Sequence, residues 1–336
     1  MPHLNESVVH TGPMTTALPS ALRETSTREL SSRVAVILPC LNEAADIATV
    51  VAAFRAHLPH AIVHVFDNAS TDDTAALAER AGAVVHLEPH RGKGRVVSRM
   101  FRDVEADIYV MADGDATYDA SAAPAMIERL LHDGLDVVIG ARRHVSAAAY
   151  RPGHRFGNVV LTGFAARLFG RRLRDMMSGY RVMSRRFVKS CPLVASGFEI
   201  ETELTLHMFQ IEASYVEMDT DYYGRGPESA SKLRTLPDGW RVLSTMLRLL
   251  ALERPVAVFG GAGLTALATS LALFLPILAE YRATGTVPRF PTLIVSGTLG
   301  LCGVVSIFSG FILAGITRAR QDMKRLMYLS HVGLKA

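Results

Sequence analysis

Short apolar runs alternate with helical patterns along the chain from residue 33 to residue 140. The apolar runs are a few residues long, as is typical of buried strands, and the segments between them carry apolar residues at helical spacing. This alternation predicts an α/β fold with a mostly parallel sheet covered by helices. The predicted strands are Val34–Leu38, Ala61–Phe66, Ala83–His86, Ile108–Ala112 and Val137–Ile139.

Two long stretches nearer the C-terminal end, Val256–Ala279 and Thr292–Thr317, contain no Asp, Glu, Lys or Arg. Each is longer than the about 20 residues that a helix needs to cross a hydrocarbon core. Runs of this length favour two transmembrane helices over the alternative, two buried helices of a soluble core. Basic residues are denser outside the pair than between its members, which predicts that the N-terminal part and the C-terminus are both cytoplasmic.

The pattern changes several times along the chain. The first 32 residues are rich in Ser and Thr and lack an apolar run of signal-peptide length, which indicates a flexible tail. Residues 238–254 combine Leu and Met with interspersed Arg, as in a helix at a membrane interface, or alternatively in a helix packed on the domain. The predicted division is a polar tail at 1–32, a globular α/β domain at 33–237, an interfacial amphipathic helix at 238–254, two transmembrane helices within 255–317 (about 256–279 and 292–317), and a basic cytoplasmic tail at 318–336.

Composition narrows the possible functions only slightly. The chain has 336 residues, 49% of them hydrophobic, which excludes a disordered protein. Its 36 Lys and Arg against 32 Asp and Glu give a net charge of +4, too small a bias to favour a nucleic-acid partner. The three cysteines are far apart, so the sequence predicts neither a disulfide framework nor a zinc site.

Polar loops follow three of the predicted strands. Because the carboxyl ends of parallel strands meet at one edge, where such sheets bind ligands, we expect these loops to form one site. Acidic side chains gathered there need a cation or hydrogen-bond donors between them. Two carboxylates at a strand end can hold Mg²⁺ or Mn²⁺ while a nucleotide diphosphate supplies further oxygens. The loops are Pro39–Glu43, Asp67–Asp72 and Asp113–Asp115, and a basic glycine turn lies at His90–Gly94.

The order of these motifs (P-C-L-N-E, D-N-A-S-T-D-D-T, R-G-K-G, M-A-D-G-D-A-T-Y-D and D-M-M-S-G-Y-R) resembles the family 2 glycosyltransferases of the GT-A fold. More narrowly, it is similar to the polyprenyl-phosphate and dolichyl-phosphate hexose synthases, of the dolichyl-phosphate mannose synthase type. The resemblance covers about Arg33–Pro255. It implies a GT-A catalytic domain at 33–237 with a Rossmann-like nucleotide half.

The resemblance also implies a role for individual residues on the donor side. Asp113 and Asp115 would hold a divalent cation, Mg²⁺ or Mn²⁺, and would count with Asp175 as catalytic. The family often supplies a further metal ligand from a Gln that follows the D-x-D motif. Here Thr117 or a water would take that place. The implied nucleotide-sugar site comprises Pro39, Asn42, Glu43, Asp67, Lys93, Asp113, Gly114 and Asp115.

On the acceptor side, the resemblance implies basic and polar residues that bind a lipid phosphate. This phosphate is already an anion, so it can attack the anomeric carbon without a strong general base. Glu201, in a segment with acids at every second position, could orient the sugar. The implied lipid-phosphate residues are Arg142, Arg155, Arg225, Ser231 and Lys232.

The function implied is that of a membrane-bound inverting glycosyltransferase. It would move a hexose-type sugar from a nucleotide sugar, UDP- rather than GDP-linked, to a polyprenyl phosphate of the undecaprenyl type. The product would be a lipid-linked sugar donor for envelope glycan or lipopolysaccharide modification at the bacterial inner membrane. Small residues at Gly260–Gly263 favour close helix contacts and a homo-oligomer.

Alternatives from other classes also fit parts of the sequence. A processive membrane polysaccharide synthase shares the fold, but its usual Q-x-x-R-W motif is absent around the single tryptophan, Trp240. A sugar-nucleotide-forming nucleotidyltransferase would have a glycine-rich, basic first loop, unlike Pro39–Glu43. A non-catalytic membrane adaptor on the same fold would have no need of the acidic residues Asp67, Asp113 and Asp115.

Overall fold

The computed structural model describes residues 33–144, 160, 162–164, 167–170, 173–193, 200–224, 244, 246–247 and 249–333. Strands and helices alternate through the first part of this range, and two long helices end it. In chain order the named elements are β1 Val34–Cys40, α1 Ile47–His57, β2 Ile62–Asp67, α2 Thr74–Arg80, β3 Val84–Leu87, α3 Lys93–Asp103, β4 Ile108–Met111, α4 Ala123–His132, β5 Val137–His144, β6 Arg181–Ser184, α5 Arg185–Ser190, α6 Ile200–Gln210, β7 Tyr215–Tyr222, α7 Pro255–Thr284 and α8 Phe290–Ser330.

The strands form one seven-stranded sheet in the order β3-β2-β1-β4-β6-β5-β7. Strands β1 to β4 pair in parallel, and β5 pairs in parallel with β7. Strand β6 runs antiparallel to both of its neighbours, β4 and β5. The prediction of a mostly parallel α/β sheet is therefore confirmed, and β6 and β7 are strands that the hydrophobic pattern did not indicate.

Both faces of the sheet are buried. Along β1, alternate side chains enter different cores: Ala35 and Ile37 face one cluster, and Val36 and Leu38 face the other. A strand covered on both faces has a continuous apolar sequence rather than an alternating one. This is why the strands at the centre of the sheet could be recognised as short apolar runs.

Helices α7 and α8 are long and apolar enough to cross a membrane. They contain 30 and 41 residues, and only 11% of the most apolar window of each is buried, unlike the core helices of a soluble protein. The two helices pack closely through small residues. Ser270 and Ser296 each donate their hydroxyl to the other's carbonyl oxygen, at 2.7 and 2.9 Å.

The last part of α8 packs against the α/β domain. Tyr328 lies in one of the two cores, and its hydroxyl donates to Asp136 Oδ2 at 2.6 Å. Lys324 Nζ donates to Gln210 Oε1 at 2.7 Å, at the C-terminal end of α6. The segment 318–336 was expected to be a basic tail. Within the described residues it continues α8 as far as Ser330 and joins the domain.

The predicted interfacial segment 238–254 is described only in part. Residues 249–253 are helical; Leu249 is buried, and Met246 packs against the core. Leu247 and Leu252 are exposed. This segment therefore packs one side against the α/β domain. Its contact with a membrane surface remains a prediction. The predicted domain boundary near residue 237 lies outside the described residues.

We expect Gly303→Ala to destabilise the α7–α8 pair. A Cβ at Gly303 would lie 2.8 Å from the carbonyl oxygen of Gly263, closer than real contacts allow. Gly297, in the same helix, has no atom within 4 Å of an added Cβ, so Gly297→Ala is the matched control. The midpoint of thermal unfolding in detergent should fall by several degrees for Gly303→Ala, because the collision with Gly263 outweighs the gain of about 1 kcal/mol that Ala brings to a helix over Gly. Gly297→Ala has only that gain, so its midpoint should not fall. Equal midpoints would contradict this packing.

His207 on α6 should make stability depend on pH. Burial, with a smaller effect of Lys324, lowers the pKa of this imidazole from 6.5 to about 3. Below pH 6.5 the unfolded state binds the proton and the folded state does not, so the free energy of unfolding should fall by up to about 1.4 kcal/mol per pH unit down to about pH 3. His207→Gln should flatten the dependence measured by thermal unfolding between pH 4.5 and 7. His60→Gln, at an exposed position, is the control and should not flatten it.

Candidate active site

The loops after β1 and β2 lie side by side and are joined by hydrogen bonds. Cys40 and Asp67 pair in register at the ends of these strands. The Asn42 N–H donates to Ser70 Oγ at 2.9 Å, and Asn42 Oδ1 accepts the Thr71 N–H at 2.8 Å. Asn42 has a φ of +55°, a left-handed conformation that Asn tolerates better than most residues. The two predicted nucleotide loops thus form one surface.

Asp67 is 5% exposed and carries an atom without a partner. Its Oδ2 accepts the Ser70 N–H at 3.3 Å, whereas Oδ1 is buried and has no hydrogen-bond partner among the described residues. Buried polar atoms are nearly always hydrogen-bonded. An orphan carboxylate oxygen in the loop predicted to bind a nucleotide is therefore suited to accept a hydrogen bond from a ligand.

Asn68 organises the turn that precedes α3. Its Oδ1 accepts the Gly92 N–H at 2.7 Å, and its amide donates to the His90 carbonyl oxygen at 2.7 Å. Gly92 has a φ of +139°, which favours glycine at this position. Lys93 follows directly as the first residue of α3. Asn68 was not predicted as a site residue; the one signal for it is a polar residue directly after a buried strand.

The ammonium group of Lys93 lies between two carboxylates. Lys93 Nζ is 2.6 Å from Asp113 Oδ1 and 2.6 Å from Glu201 Oε1. Burial opposes the positive charge, but Asp113 and Glu201 outweigh it, so the pKa of Lys93 is raised above its usual value. Lys93 is therefore a permanent cation that joins α3, the loop after β4 and the first turn of α6.

The Asp113-Gly114-Asp115 turn packs tightly on β1. A Cβ at Gly114 would collide with the Sγ atom of Cys40, so only glycine fits here. The Thr117 hydroxyl donates to Asp115 Oδ1 at 2.6 Å. The Thr117 hydroxyl, one of the two alternatives for the further metal ligand, thus uses its proton to hold Asp115 in place.

Arg142 and Asp175 form a second pair at the end of β5. Arg142 donates from Nε and from one terminal nitrogen to the two Asp175 oxygens, at 2.7 and 2.8 Å. Burial opposes the charge of Arg142, but the hydrogen bonds to Asp175 prevail and raise its pKa. The Asp175 N–H donates to Glu217 on β7 at 3.0 Å. Two parallel hydrogen bonds of this kind fix the plane of the guanidinium.

Tyr118 connects the two pairs. Its hydroxyl accepts the Gly179 N–H at 2.9 Å, and an added Cβ at Gly179 would lie 3.1 Å from Asp113 Oδ2. The Tyr118 ring contacts the Tyr222 ring, and the Arg142 guanidinium lies 5.5 Å from the Tyr222 centroid. The acidic turn after β4 and the Arg142 pair therefore belong to one continuous site.

Arg181 lies buried behind the loop that carries Asp175 and supports it. It was not among the predicted site residues. It is fully buried and donates to the carbonyl oxygens of Met176, Ser178 and Glu201 and to the hydroxyl of Thr205, at 2.8 to 3.1 Å. It thereby ties the loop before β6 to the first turn of α6. No sequence pattern indicates these hydrogen bonds, because the partners of Arg181 are mostly backbone atoms.

The described part of the chain brings most of the predicted site residues together. Asp113, Asp115 and Lys93 meet the two nucleotide loops, and Arg142 meets Asp175. The other four predicted lipid-phosphate residues lie outside the described residues, and their role stays a prediction. The residues at the common edge are Pro39, Asn42, Glu43, Asp67, Lys93, Asp113, Gly114 and Asp115; those outside the description are Arg155, Arg225, Ser231 and Lys232.

The donor set at this edge suits a magnesium-type ion that is only partly held by protein. The described residues contain no group of three or more His, Cys, Asp or Glu side chains arranged as metal ligands. Asp113 and Asp115 offer two carboxylates, and Mg²⁺ typically uses one or two with water and substrate phosphates. The Lys93 ammonium already neutralises part of the negative charge at Asp113.

Comparison with known sequences identifies the family. The profile of "Glycosyl transferase family 2" matches residues 35–191. Glycosyltransferase AglJ of Haloferax volcanii is 35% identical over 254 residues, which cover 74% of this chain and 82% of AglJ. The dolichyl-phosphate hexose transferase of the same organism is 28% identical over 155 residues, covering 46% of this chain and 68% of that protein. The chain belongs to glycosyltransferase family 2 and is a glycosyltransferase.

Solved structures confirm the GT-A fold. Glucosyl-3-phosphoglycerate synthase from Mycobacterium tuberculosis, in complex with Mn²⁺ and UDP-glucose, matches with a TM-score of 0.53. The match covers 73% of this chain and 84% of that one at 22% identity, so it is a likeness of fold. The fold and family expected from the motifs are therefore both confirmed.

We expect Gly114→Ala to displace the acidic turn, because the added Cβ would collide with Cys40 Sγ. Binding of UDP in the presence of Mn²⁺, measured by calorimetry, should weaken about tenfold or more, which corresponds to ~1.4 kcal/mol. The double variant Cys40→Ala/Gly114→Ala removes the colliding sulfur and should recover much of the affinity. Cys40→Ala alone is the control. An equal loss in the single Gly114→Ala and double variants would refute the steric explanation.

Proposed function

We propose that this glycosyltransferase is a membrane-bound, inverting enzyme that transfers a hexose-type sugar from a nucleotide sugar to a polyprenyl phosphate. The observation that carries the proposal is that one folded unit combines an acidic sheet edge, a buried Arg–Asp pair and two apolar helices. An acidic edge suited to a metal–diphosphate continues into the Arg142–Asp175 pair. The same domain is joined through Tyr328 to two helices long and apolar enough to cross a bilayer.

On the donor side, the proposal assigns the nucleoside to Pro39, Asn42, Glu43 and Asp67. The orphan oxygen of Asp67 is suited to accept the imino N–H of a base. A UDP-sugar is favoured over a GDP-sugar because the M. tuberculosis structure of the same fold contains UDP-glucose. Lys93 at the start of α3 is placed to approach the diphosphate.

Asp113 and Asp115 are the residues that would hold Mg²⁺ or Mn²⁺, with Gly114 allowing their close approach to β1. When bound there, such an ion would offset the charge that develops on the departing diphosphate. The protein's own contribution is to fix both carboxylates. Thr117 hydrogen-bonds Asp115, and the Gly179 backbone lies beside Asp113.

On the acceptor side, Asp175 already accepts the Nε and one terminal N–H of Arg142 and would orient the guanidinium. Arg142 would bind the lipid phosphate through its remaining terminal N–H donors. The phosphate attacks the anomeric carbon from the face opposite the leaving diphosphate, which inverts the configuration. Because the attacking oxygen is already anionic, alignment matters more than a base. The residues Arg155, Arg225, Ser231 and Lys232 are proposed as further phosphate ligands from the sequence alone.

The location follows from the acceptor. An isoprenoid tail stays in the bilayer, and the dolichyl-phosphate hexose transferase relative supports a lipid acceptor of this class. We place the enzyme in a bacterial inner membrane with the catalytic domain and C-terminus cytoplasmic, making a lipid-linked monosaccharide for envelope glycans or lipopolysaccharide. A homo-oligomer is proposed from the small residues Gly260–Gly263 alone.

The test is nucleotide release by the purified full-length protein in detergent with Mg²⁺ or Mn²⁺. A panel of UDP- and GDP-sugars is supplied with and without undecaprenyl phosphate. We expect release with one sugar nucleotide and only when the lipid is present. Asp115→Asn should reduce it at least a hundredfold, because the variant loses a metal-binding charge, while Asp133→Asn at an exposed position should not. Nucleotide release without the lipid would contradict polyprenyl phosphate as the acceptor. No release from any donor would favour the alternative of a non-catalytic membrane adaptor.

A further inference from the structure

Lys93 occupies a place that the donor's metal would also need. Its Nζ atom lies 2.6 Å from both Asp113 Oδ1 and Glu201 Oε1. The Lys93 side chain is 16% exposed, and that of Glu201 is 7% exposed, so water screens these charges poorly. The three residues come from three elements: α3, the loop after β4 and α6.

The two cations compete for Asp113. A divalent ion bound to Asp113 and Asp115 would lie close to the ammonium group that now contacts the Asp113 carboxylate. Two cations at such a distance in a poorly solvated site repel each other strongly. For the divalent ion to bind Asp113 and Asp115, the Lys93 ammonium therefore has to move away from Asp113.

We propose that Lys93 keeps the site closed to a free metal ion in the nucleotide-free enzyme, and that Glu201 is the positioning residue that retains Lys93 when Asp113 takes the metal. Because it invokes a metal–diphosphate donor, this inference rests on the proposed function. Lys93 then turns about Glu201 and directs its other N–H donors to the diphosphate; an ammonium group has three. Metal and diphosphate consequently bind as one unit.

Glu201 is well placed for this role because its backbone is held firmly. Arg181 donates to the Glu201 carbonyl oxygen at 3.0 Å and to Thr205 Oγ1, one turn later in α6, at 2.8 Å. The same guanidinium also binds the Met176 carbonyl oxygen in the loop before β6. Glu201 therefore lies on a fixed support, whereas Lys93 has a long, flexible side chain.

A purely structural ion pair would behave differently. If Lys93 only joined α3 to α6, removing its charge would loosen the site and weaken the binding of every ligand. If it competes with the metal, removing its charge should strengthen the binding of free metal and weaken that of the diphosphate. The two explanations thus predict opposite signs for one measurement.

The experiment measures Mn²⁺ binding to the full-length protein by electron paramagnetic resonance, without nucleotide, and UDP binding at saturating Mn²⁺ by calorimetry. We expect Lys93→Met to bind free Mn²⁺ about tenfold more tightly than wild type and UDP about tenfold more weakly. Lys189→Met is the matched control. Lys189 is 13% exposed and pairs with Glu105 at 2.8 Å, and its substitution changes the net charge equally. It should alter neither affinity.

Glu201→Gln tests the second half of the proposal. Lys93 then keeps Asp113 as its charged partner, so free Mn²⁺ should bind no more tightly than in wild type, while UDP at saturating Mn²⁺ should bind several-fold more weakly. UDP lacks the hexose that would be transferred, so this loss cannot come from a contact between Glu201 and that hexose. Lys93→Gln repeats the first measurement if Lys93→Met does not fold.

Weaker or unchanged binding of free Mn²⁺ in both Lys93 variants would overturn the competition, and unchanged UDP binding in Glu201→Gln would overturn its positioning role. These failures differ from failure of the proposed function. In that case the wild-type protein itself would bind no UDP in the presence of Mn²⁺, and the inference would fall with it.

Discussion

Repulsion between carboxylates is the constraint on which the active site depends. The parallel strands bring acidic side chains to one edge, and α6 adds another from the opposite side. Buried like charges are tolerated only when cations or hydrogen-bond donors lie between them. Lys93 supplies that charge, and the turn built by Asn68 and Gly92 holds it there. The acids concerned are Asp67, Asp113, Asp115 and Glu201.

The arrangement of the proposed donor side was largely predictable because its residues follow strands that are recognisable on their own. Strand β1 has a continuous apolar pattern, and polar residues mark its end at the sheet edge. By the parallel-strand rule, the loops after β1, β2 and β4 had to meet. The motifs then identified the family. Local pattern and a topological rule were sufficient here, because the contacts join loops whose positions the strands determine.

The proposed acceptor side and the residues that support it were harder to predict, since they depend on long-range contacts. Strand β6 has four residues and runs antiparallel, too short to show a period. Strand β7 lies at the edge of the sheet and is mostly half-buried, and acids alternate along it, so no apolar run marks it. Arg181 binds mainly backbone carbonyl groups, so nothing in its neighbours' identities indicates it. The pairing of Arg142 with Asp175 joins residues whose proximity only the folded sheet reveals.

Helix α8 runs without interruption from its apolar stretch to Tyr328, over about 60 Å. A continuous helix passes on a change of tilt, whereas a flexible linker would absorb it. Apolar helices tilt to match the thickness of the bilayer around them. Any such change would act on Asp136, directly before β5, the strand that carries Arg142 at its other end. The connection between the apolar helix pair and the α/β domain is therefore mechanically stiff.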